Sequence, residues 1–308
     1  MTSRSWLINY VALAVIWGLS FALIKQGLTS LTPLQVTTAR LGLGAIVVVR
    51  LLLATRTFPR ATRTEWRHLV VVGVVGLALP FALIAFAETR VTSILAGLLN
   101  AATPLFTAIF ITLLVPQERP HRLQIVGLVT GFLGIAVLVG AWNMGASGVD
   151  PVGVLAMVAA TVCYGFGTSF GRVSLSSSTL SGIQLTGIQL LSGTAALLVL
   201  LLADPGERPG PLTVTAGVSV LALGVVGTGL AMVLFWHILR QAGATVAATV
   251  TYVIPVVSTT VGVLVLREAF TWNQIVGGLI VIGGVILTQL PQLTGRGVAP
   301  SRVVEPPD

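Results

Sequence analysis

The chain has 308 residues, of which 55% are hydrophobic and 8% are charged, and its net charge is +8. A soluble domain usually carries about 25% charged residues, so this composition excludes a globular protein covered by water and predicts burial in a lipid bilayer. The basic residues occupy short gaps between apolar runs, which favours membrane topology signals over a nucleic-acid-binding surface.

The predicted elements are ten apolar stretches, each long enough to cross a hydrocarbon core as a helix of about 20 residues. We number these spans one to ten; they cover residues 6–25, 34–53, 68–87, 92–114, 121–140, 151–171, 181–202, 214–237, 245–266 and 271–290. Span one lacks a clear cleavage site and is longer than the apolar core of a signal peptide, so we expect it to stay in the protein. Residues 293–308 are predicted to form a disordered cytoplasmic tail.

The basic residues predict the orientation of the spans. If the N-terminus is cytoplasmic, most of the 17 lysines and arginines lie in cytoplasmic segments and few lie on the opposite side. Cytoplasmic loops of membrane proteins carry such an excess of Lys and Arg. We therefore expect a multi-pass protein of the cytoplasmic membrane, with both termini in the cytoplasm.

The second half of the chain repeats the first in an ordered series of residues. The corresponding pairs include Trp17 and Tyr164, Lys25 and Arg172, Gln35 and Gln184, Pro104 and Pro255, Glu118 and Glu268, and the Gln-Ile-Val-Gly segments at 124–127 and 274–277. Each half has five spans, and because five is odd the two halves enter the membrane from opposite sides. The sequence predicts an all-α integral membrane protein of two inverted five-helix repeats, at 1–145 and 146–292. In transporters built this way the substrate site lies near the midplane between the repeats.

Several motifs of the first half resemble a known family. They are Trp-Gly-x-x-Phe in span one with a following Lys25, Pro33 and Arg40 in span two, "LLNAATPLFTAIF" in span four, and Glu118 after it. In order and spacing they resemble the EamA-like family of the drug/metabolite transporter superfamily, over about residues 6–290. The resemblance implies export, or sometimes uptake, of amino acids, other small metabolites or toxic compounds. The second half departs from the pattern, with Tyr164 where Trp is common and Gln189 in the position of Arg40.

Arg40 is the one charged residue that lies clearly within a span, so it must face the interior of the bundle or a cavity. Two interpretations remain open. Arg40 pairs with Glu88 at the outer end of span three, which we favour, or its planar guanidinium holds a substrate carboxylate. No carboxylate lies in the middle of a span, which argues against a strong buried proton relay but leaves coupling through Glu88 or His237 open.

A central cavity is predicted around two prolines inside spans four and nine, where each removes a backbone hydrogen bond and frees a carbonyl group. A kink whose polar neighbours satisfy the backbone is the alternative. The candidate substrate-binding residues are Trp17, Ser20, Arg40, Asn100, Thr103, Tyr164, Thr168, Gln189, Trp236 and Tyr252. A mostly apolar cavity with a few polar groups suits an amphipathic or apolar amino acid, or a drug-like molecule.

A second set of residues has a predicted structural or gating role. It consists of Lys25, Glu88, Pro104, Glu118, Pro255 and Glu268, of which Glu118 and Glu268 are expected to close the turn to the next helix. Small residues let helices approach closely. We expect the glycines of spans five and ten to pack against the preceding span of the same chain and not to form a homodimer contact. They are Gly127, Gly131, Gly134, Gly277, Gly278 and Gly284.

These features favour a secondary transporter that works by alternating access, with efflux as the favoured direction. A lipid flippase and a membrane-embedded enzyme are the alternatives. The three histidines lie near span ends with no carboxylate between them, so we do not expect an enzyme. The single cysteine, Cys163, allows no disulfide within the chain, and we expect neither a metal nor a cofactor. The expected partners are a small-molecule substrate and the bilayer, with no nucleic acid, in a monomer or homodimer.

Overall fold

The computed structural model describes residues 5–115, 122–143, 149–203 and 210–293, which are almost entirely helical and contain no β-strand. The helices are α1 (Ser5–Gly27), α2 (Pro33–Ala54), α3 (Arg63–Gly73), α4 (Leu79–Glu88), α5 (Ser93–Asn100), α6 (Thr103–Leu114), α7 (Arg122–Val139), α8 (Pro151–Ser174), α9 (Gly182–Ala203), α10 (Val214–Gly224), α11 (Ala231–Leu264) and α12 (Trp272–Leu293). Together they provide ten segments long and apolar enough to cross a membrane. The predicted all-α membrane fold is confirmed, while the predicted tail lies outside the described residues apart from Leu293.

Capping residues fix where the helices begin. The side chain of Thr32 accepts a hydrogen bond from Gln35 N and the side chain of Gln35 accepts one from Thr32 N, which is a capping box at the start of α2. Ser181 and Gln184 make the same pair of bonds at the start of α9. Span two and span seven therefore start in the same way at corresponding positions of the two halves.

Span three begins earlier than the sequence pattern predicts. The structure starts it at Arg63 instead of at 68, because Thr62 and Glu65 form a further capping box before the apolar residues begin. The extra turn is polar and hydropathy alone could not detect it. Spans three and eight each contain a π-helical segment, at Val74–Ala78 and Val225–Leu230.

Spans four and nine differ although both contain a proline. Span four is interrupted at residues 101–102, between α5 and α6, and Pro104 stands in the first turn of the new helix. There its missing N–H costs nothing, so Pro104 lies at the start of a helix and not in the interior of one. Pro255 lies inside α11, whose break falls at Gly243, with φ of +85°. The parts of α11 on the two sides of Gly243 belong to spans eight and nine.

Glycines let α7 and α12 cross with their backbones in contact. A Cβ atom added to Gly284 of α12 would lie 2.5 Å from the backbone nitrogen of Gly131, and one added to Gly127 would lie 2.6 Å from the carbonyl oxygen of Gly284. Gly277 likewise faces the backbone of Leu138. The expected partner was the preceding span. This holds for Gly131, which also meets Leu105 of α6, but most of these glycines pack span five against span ten.

The remaining packing also joins elements of the first half to elements of the second half. α2 packs against α9, and α4 packs against α8, as α1 does against α11. A buried apolar cluster that includes Leu95, Leu99 and Met157 lies where α4, α5 and α8 meet. Large apolar side chains such as Val214, 83% exposed, cover the outside. An apolar exterior is what a lipid environment requires.

Candidate functional site

A cavity of about 330 Å³ lies in the middle of the bundle. Its lining comes from spans one, two, three, four, six, seven, eight and nine, while α7 and α12 contribute no lining residue. The predicted substrate-binding residues that line it are Trp17, Ser20, Arg40, Asn100, Thr103, Tyr164, Thr168 and Gln189. Trp236 and Tyr252 do not line it. The structure thus brings most of the predicted residues of both halves to one place.

Arg40 is buried, with 6% of its surface exposed, and it is held on two sides. Its Nε donates a hydrogen bond to Thr228 Oγ1 at 3.1 Å, and its guanidinium carbon lies 3.8 Å from the centre of the Phe81 ring. Thr228 lies in the π-helical segment of span eight and donates in turn to Leu223 O. The two terminal nitrogens of Arg40 have no hydrogen-bond partner among the described residues, so they remain available to a ligand.

The favoured pairing of Arg40 with Glu88 is wrong. Both carboxyl oxygens of Glu88 are buried and accept no hydrogen bond from any described residue. Arg40 instead uses Thr228, which comes from the other half of the chain. The sequence could not indicate this partner, because the π-helical segment changes which face of span eight points at span two.

The break in span four places Asn100 at the cavity. Thr103 Oγ1 donates to the backbone oxygen of Asn100 at 2.8 Å, which satisfies one of the carbonyl groups at the end of α5. The side-chain oxygen Oδ1 of Asn100 is buried and has no partner in the described part of the chain. A buried unpaired acceptor is costly, so Oδ1 is suited to accept a hydrogen bond from a bound molecule. Thr251, on the proline-containing span nine, also lines the cavity.

Aromatic rings form much of the remaining wall. Trp17 and Phe235 lie 5.8 Å apart between ring centres, and Phe81 and Tyr164 lie 6.1 Å apart. All four line the cavity. The prediction named Trp236 in place of its neighbour Phe235, and adjacent residues on a helix point about 100° apart.

The two predicted residues outside the cavity have other partners. Trp236 Nε1 donates to Thr186 Oγ1 at 2.9 Å, so its ring supports a lining residue from behind. The hydroxyl group of Tyr252 bonds to the side chain of Gln289 on α12. Neither side chain contributes to the cavity wall, and in both cases the residue before it in the sequence does.

A cluster of charged side chains lies beyond the cavity at the end of the bundle that holds residues 28–32, 89–92 and 265–271. We call this the outer end, after the orientation that the basic residues predict. Lys25 Nζ donates to Glu88 O at 2.6 Å and to Val91 O at 2.8 Å, which ties α1 to the end of α4. The Glu88 side chain is fully buried beside this contact.

Glu268 caps a helix of the other half. It accepts hydrogen bonds from Ser93 N and Ser93 Oγ, both at 2.9 Å, and from Ile94 N at 3.0 Å. A carboxylate at the N-terminus of a helix is favourable because the unpaired N–H groups and the helix dipole attract negative charge. We expected the Glu268 side chain to close the turn to the next helix, but its hydrogen bonds go to the start of α5 instead. Glu118, its predicted counterpart, lies outside the described residues.

An exposed ion pair lies at the same end. Arg90 donates to Asp150 Oδ2 at 3.0 Å, and Asp150 also accepts from Val152 N at the start of α8. The hydrogen bond from Arg90 lowers the pKa of Asp150, and the backbone bond from Val152 lowers it further.

Comparison with known proteins places the chain in a family. The sequence model of the EamA-like transporter family matches residues 4–140 and matches again at 151–290. The chain belongs to the EamA-like transporter family. The resemblance seen in the sequence motifs is thereby confirmed, and the EamA unit occurs twice.

Relatives of this EamA-like protein match over nearly their whole length. YedA of Escherichia coli strain K12, described as an uncharacterized inner membrane transporter, is 27% identical over 302 residues, 96% of this chain and 93% of YedA. An uncharacterized transporter of Archaeoglobus fulgidus is 25% identical over 91% of this chain and 97% of its own length. Protein PecM of Dickeya dadantii is 24% identical, with 91% of each chain covered.

A solved crystal structure shares the fold. It superimposes with a TM-score of 0.64 at 23% identity, over 94% of this chain and 99% of the other. This likeness shows the fold alone. The family match and the ten spans make the EamA-like protein a multi-pass membrane transporter.

Proposed function

We propose that the protein is a secondary transporter of small metabolites that carry a carboxylate, amino acids in particular, across the cytoplasmic membrane by alternating access. Efflux is the direction that the resemblance to the family implies. The observation that carries this proposal is Arg40, the only charged side chain among the described residues that line the cavity.

The charge of Arg40 selects against cations. A buried charge without an opposite charge costs several kcal/mol, and the neighbours of Arg40 in the cavity offer it a hydroxyl group and a ring but no carboxylate. A substrate carboxylate can accept two parallel hydrogen bonds from the terminal nitrogens of a guanidinium. A cationic drug would meet repulsion at the same place.

The other groups in the cavity suit the remainder of an amino acid. Asn100 Oδ1 is an unpaired acceptor for an amino group, and the rings of Trp17, Phe81, Tyr164 and Phe235 offer an apolar surface to a side chain. Binding sites commonly combine such an apolar lining with a few placed polar groups.

The proposed mechanism needs the two halves to be inverted, with both termini in the cytoplasm. The repeat that this mechanism requires is supported by the capping boxes, which recur at the starts of spans two and seven, and by the π-helical segments, which recur in spans three and eight. We expect tags at both chain ends to react with a membrane-impermeant reagent only after the cells have been opened. Reaction of one tag in intact cells would refute the inversion.

Counterflow in proteoliposomes tests the substrate class. We expect labelled amino acids to exchange with unlabelled ones and cationic drugs not to compete. In Arg40→Lys the half-saturation concentration rises by about 10–100-fold, because hydrogen bonds to charged groups are worth about 1.5–3 kcal/mol. Arg90→Lys, which changes an exposed arginine in the same way, is the matched control. Unchanged half-saturation in Arg40→Lys, or competition by cations, would refute the assignment.

A further inference from the structure

Glu88 is a fully buried carboxyl group that the proposed substrate site does not use. Its exposed fraction is 0%, and neither carboxyl oxygen has a hydrogen-bond partner in the described part of the chain. Ile84, one helical turn earlier on α4, lines the cavity. Ile24 on α1 also lines it, and the next residue, Lys25, donates to the backbone oxygen of Glu88. The carboxyl group therefore lies directly beyond the cavity.

The charged groups that act on Glu88 come from three other elements. They are Lys25 on α1, Glu268 in the turn before α12, and Arg40 on α2. α5 and the π-helical segment of span three contact α4 but carry no titratable side chain. α8 packs against α4 as well, and its titratable side chains are Cys163, Tyr164 and Arg172.

The carboxyl groups of Glu88 and Glu268 differ in the hydrogen-bond donors around them. Glu268 receives three hydrogen bonds at the start of α5, which suits a carboxylate. Glu88 receives none. Lys25 directs two of its donors to the backbone oxygens of Glu88 and Val91. An ionised carboxylate buried without donors costs several kcal/mol, so the surroundings of Glu88 favour its protonated form in this conformation.

We propose that Glu88 is a proton-binding site whose loading and release are coupled to substrate transport. This inference rests on the proposed transport function. When the outer end opens, water reaches the carboxyl group, its O–H bond breaks, and the proton passes to water, leaving a carboxylate near Lys25. When the cavity opens to the cytoplasm instead, a hydronium ion on that side gives up a proton to the carboxylate, which restores the buried neutral acid. A substrate carboxylate at Arg40 changes the charge that acts on Glu88, so binding of substrate and of proton affect one another.

Proteoliposomes that contain a pH-sensitive dye separate proton coupling from transport itself. Glu88→Gln has the shape of the protonated acid but cannot release a proton. We expect this variant to lose both substrate accumulation driven by a pH gradient and the proton movement that follows substrate addition, down to the level of empty vesicles, while exchange without a gradient remains measurable. The control is Asp150→Asn, which alters an exposed carboxylate at the same end and keeps both responses.

The possible results separate the two proposals. Absence of exchange in the wild-type protein for every carboxylate tested would refute the proposed function. Exchange without any coupled proton movement in the wild-type protein, or coupled movement that persists in Glu88→Gln, would overturn the role of Glu88.

Infrared spectroscopy gives a measurement that is independent of transport. The wild-type protein at neutral pH is expected to show the carbonyl stretch of a protonated carboxylic acid. That band disappears in Glu88→Gln and remains in Asp150→Asn. Absence of the band in the wild-type protein would show that Glu88 is ionised in this state and would overturn the proposal.

Discussion

The crossing of α7 and α12 allows a test with two neighbouring glycines. A Cβ atom at Gly284 would lie 2.5 Å from the backbone nitrogen of Gly131, 2.6 Å from its Cα atom and 2.7 Å from the carbonyl oxygen of Gly127. Comfortable contacts between carbon atoms begin near about 3.5 Å, so Gly284→Ala must push the two backbones apart by about 1 Å. At Gly283 a Cβ atom meets nothing within 4 Å, so Gly283→Ala is a matched control.

The two variants differ only in whether the added methyl group meets the backbone of α7. Both gain about 1 kcal/mol from the higher helix propensity of alanine, and only Gly284→Ala pays about 1–3 kcal/mol for overpacking. We therefore expect its free energy of unfolding to lie about 1–3 kcal/mol below that of Gly283→Ala. Unfolding by SDS in mixed micelles, followed by far-UV circular dichroism, measures the difference. Equal stabilities, or a less stable Gly283→Ala, would show that the helices do not approach as described.

Three further predictions concern the cavity and the outer end. Asn100→Ala should weaken binding of an amino acid but leave binding of the corresponding acid without its amino group unchanged, which competition in counterflow measures; equal losses for both would contradict the role of Oδ1. Glu268→Gln should lower the free energy of unfolding by about 1.5–3 kcal/mol, because the hydrogen bonds to Ser93 lose their charge, and an unchanged SDS midpoint would count against this cap. The pKa of Asp150 is lowered in the folded protein, so its contribution to stability is present above the unfolded pKa and disappears as the pH falls through the folded value. The melting temperatures of wild-type protein and Asp150→Asn should therefore converge in acid, and a gap that stays constant with pH would exclude the link to Arg90.

The spans could be read from the sequence because hydropathy is a local property. A helix that crosses a bilayer must present apolar side chains along about 20 residues, so composition and length locate it without knowledge of its neighbours. Eight of the ten predicted substrate-binding residues line the cavity for a related reason. A polar or charged residue such as Arg40 or Asn100 inside an apolar span must face the interior, whatever the details of packing.

The pairing of side chains across the bundle was not predictable in this way. Arg40 bonds to Thr228 and not to Glu88, and Glu268 caps α5 and not its own turn. Each of these contacts depends on how far a distant helix is rotated. The π-helical segment of span eight and the break in span four alter that rotation locally. The π-helical segment has no clear sequence signal, and Pro104 marks the break without showing how the two parts of the span are rotated.

The sequence by itself determined that the protein lies in a lipid bilayer, that it has ten spans and that its second half repeats the first. These properties follow from the hydrophobicity and order of residues along one chain. The tertiary structure alone decided which span meets which, and that Glu88 is buried without a donor. The reason is that burial and hydrogen bonding depend on atoms far apart in sequence. The sequence around a glutamate at the end of an apolar run looks the same whether its side chain faces water or, as for Glu88, the packed interior.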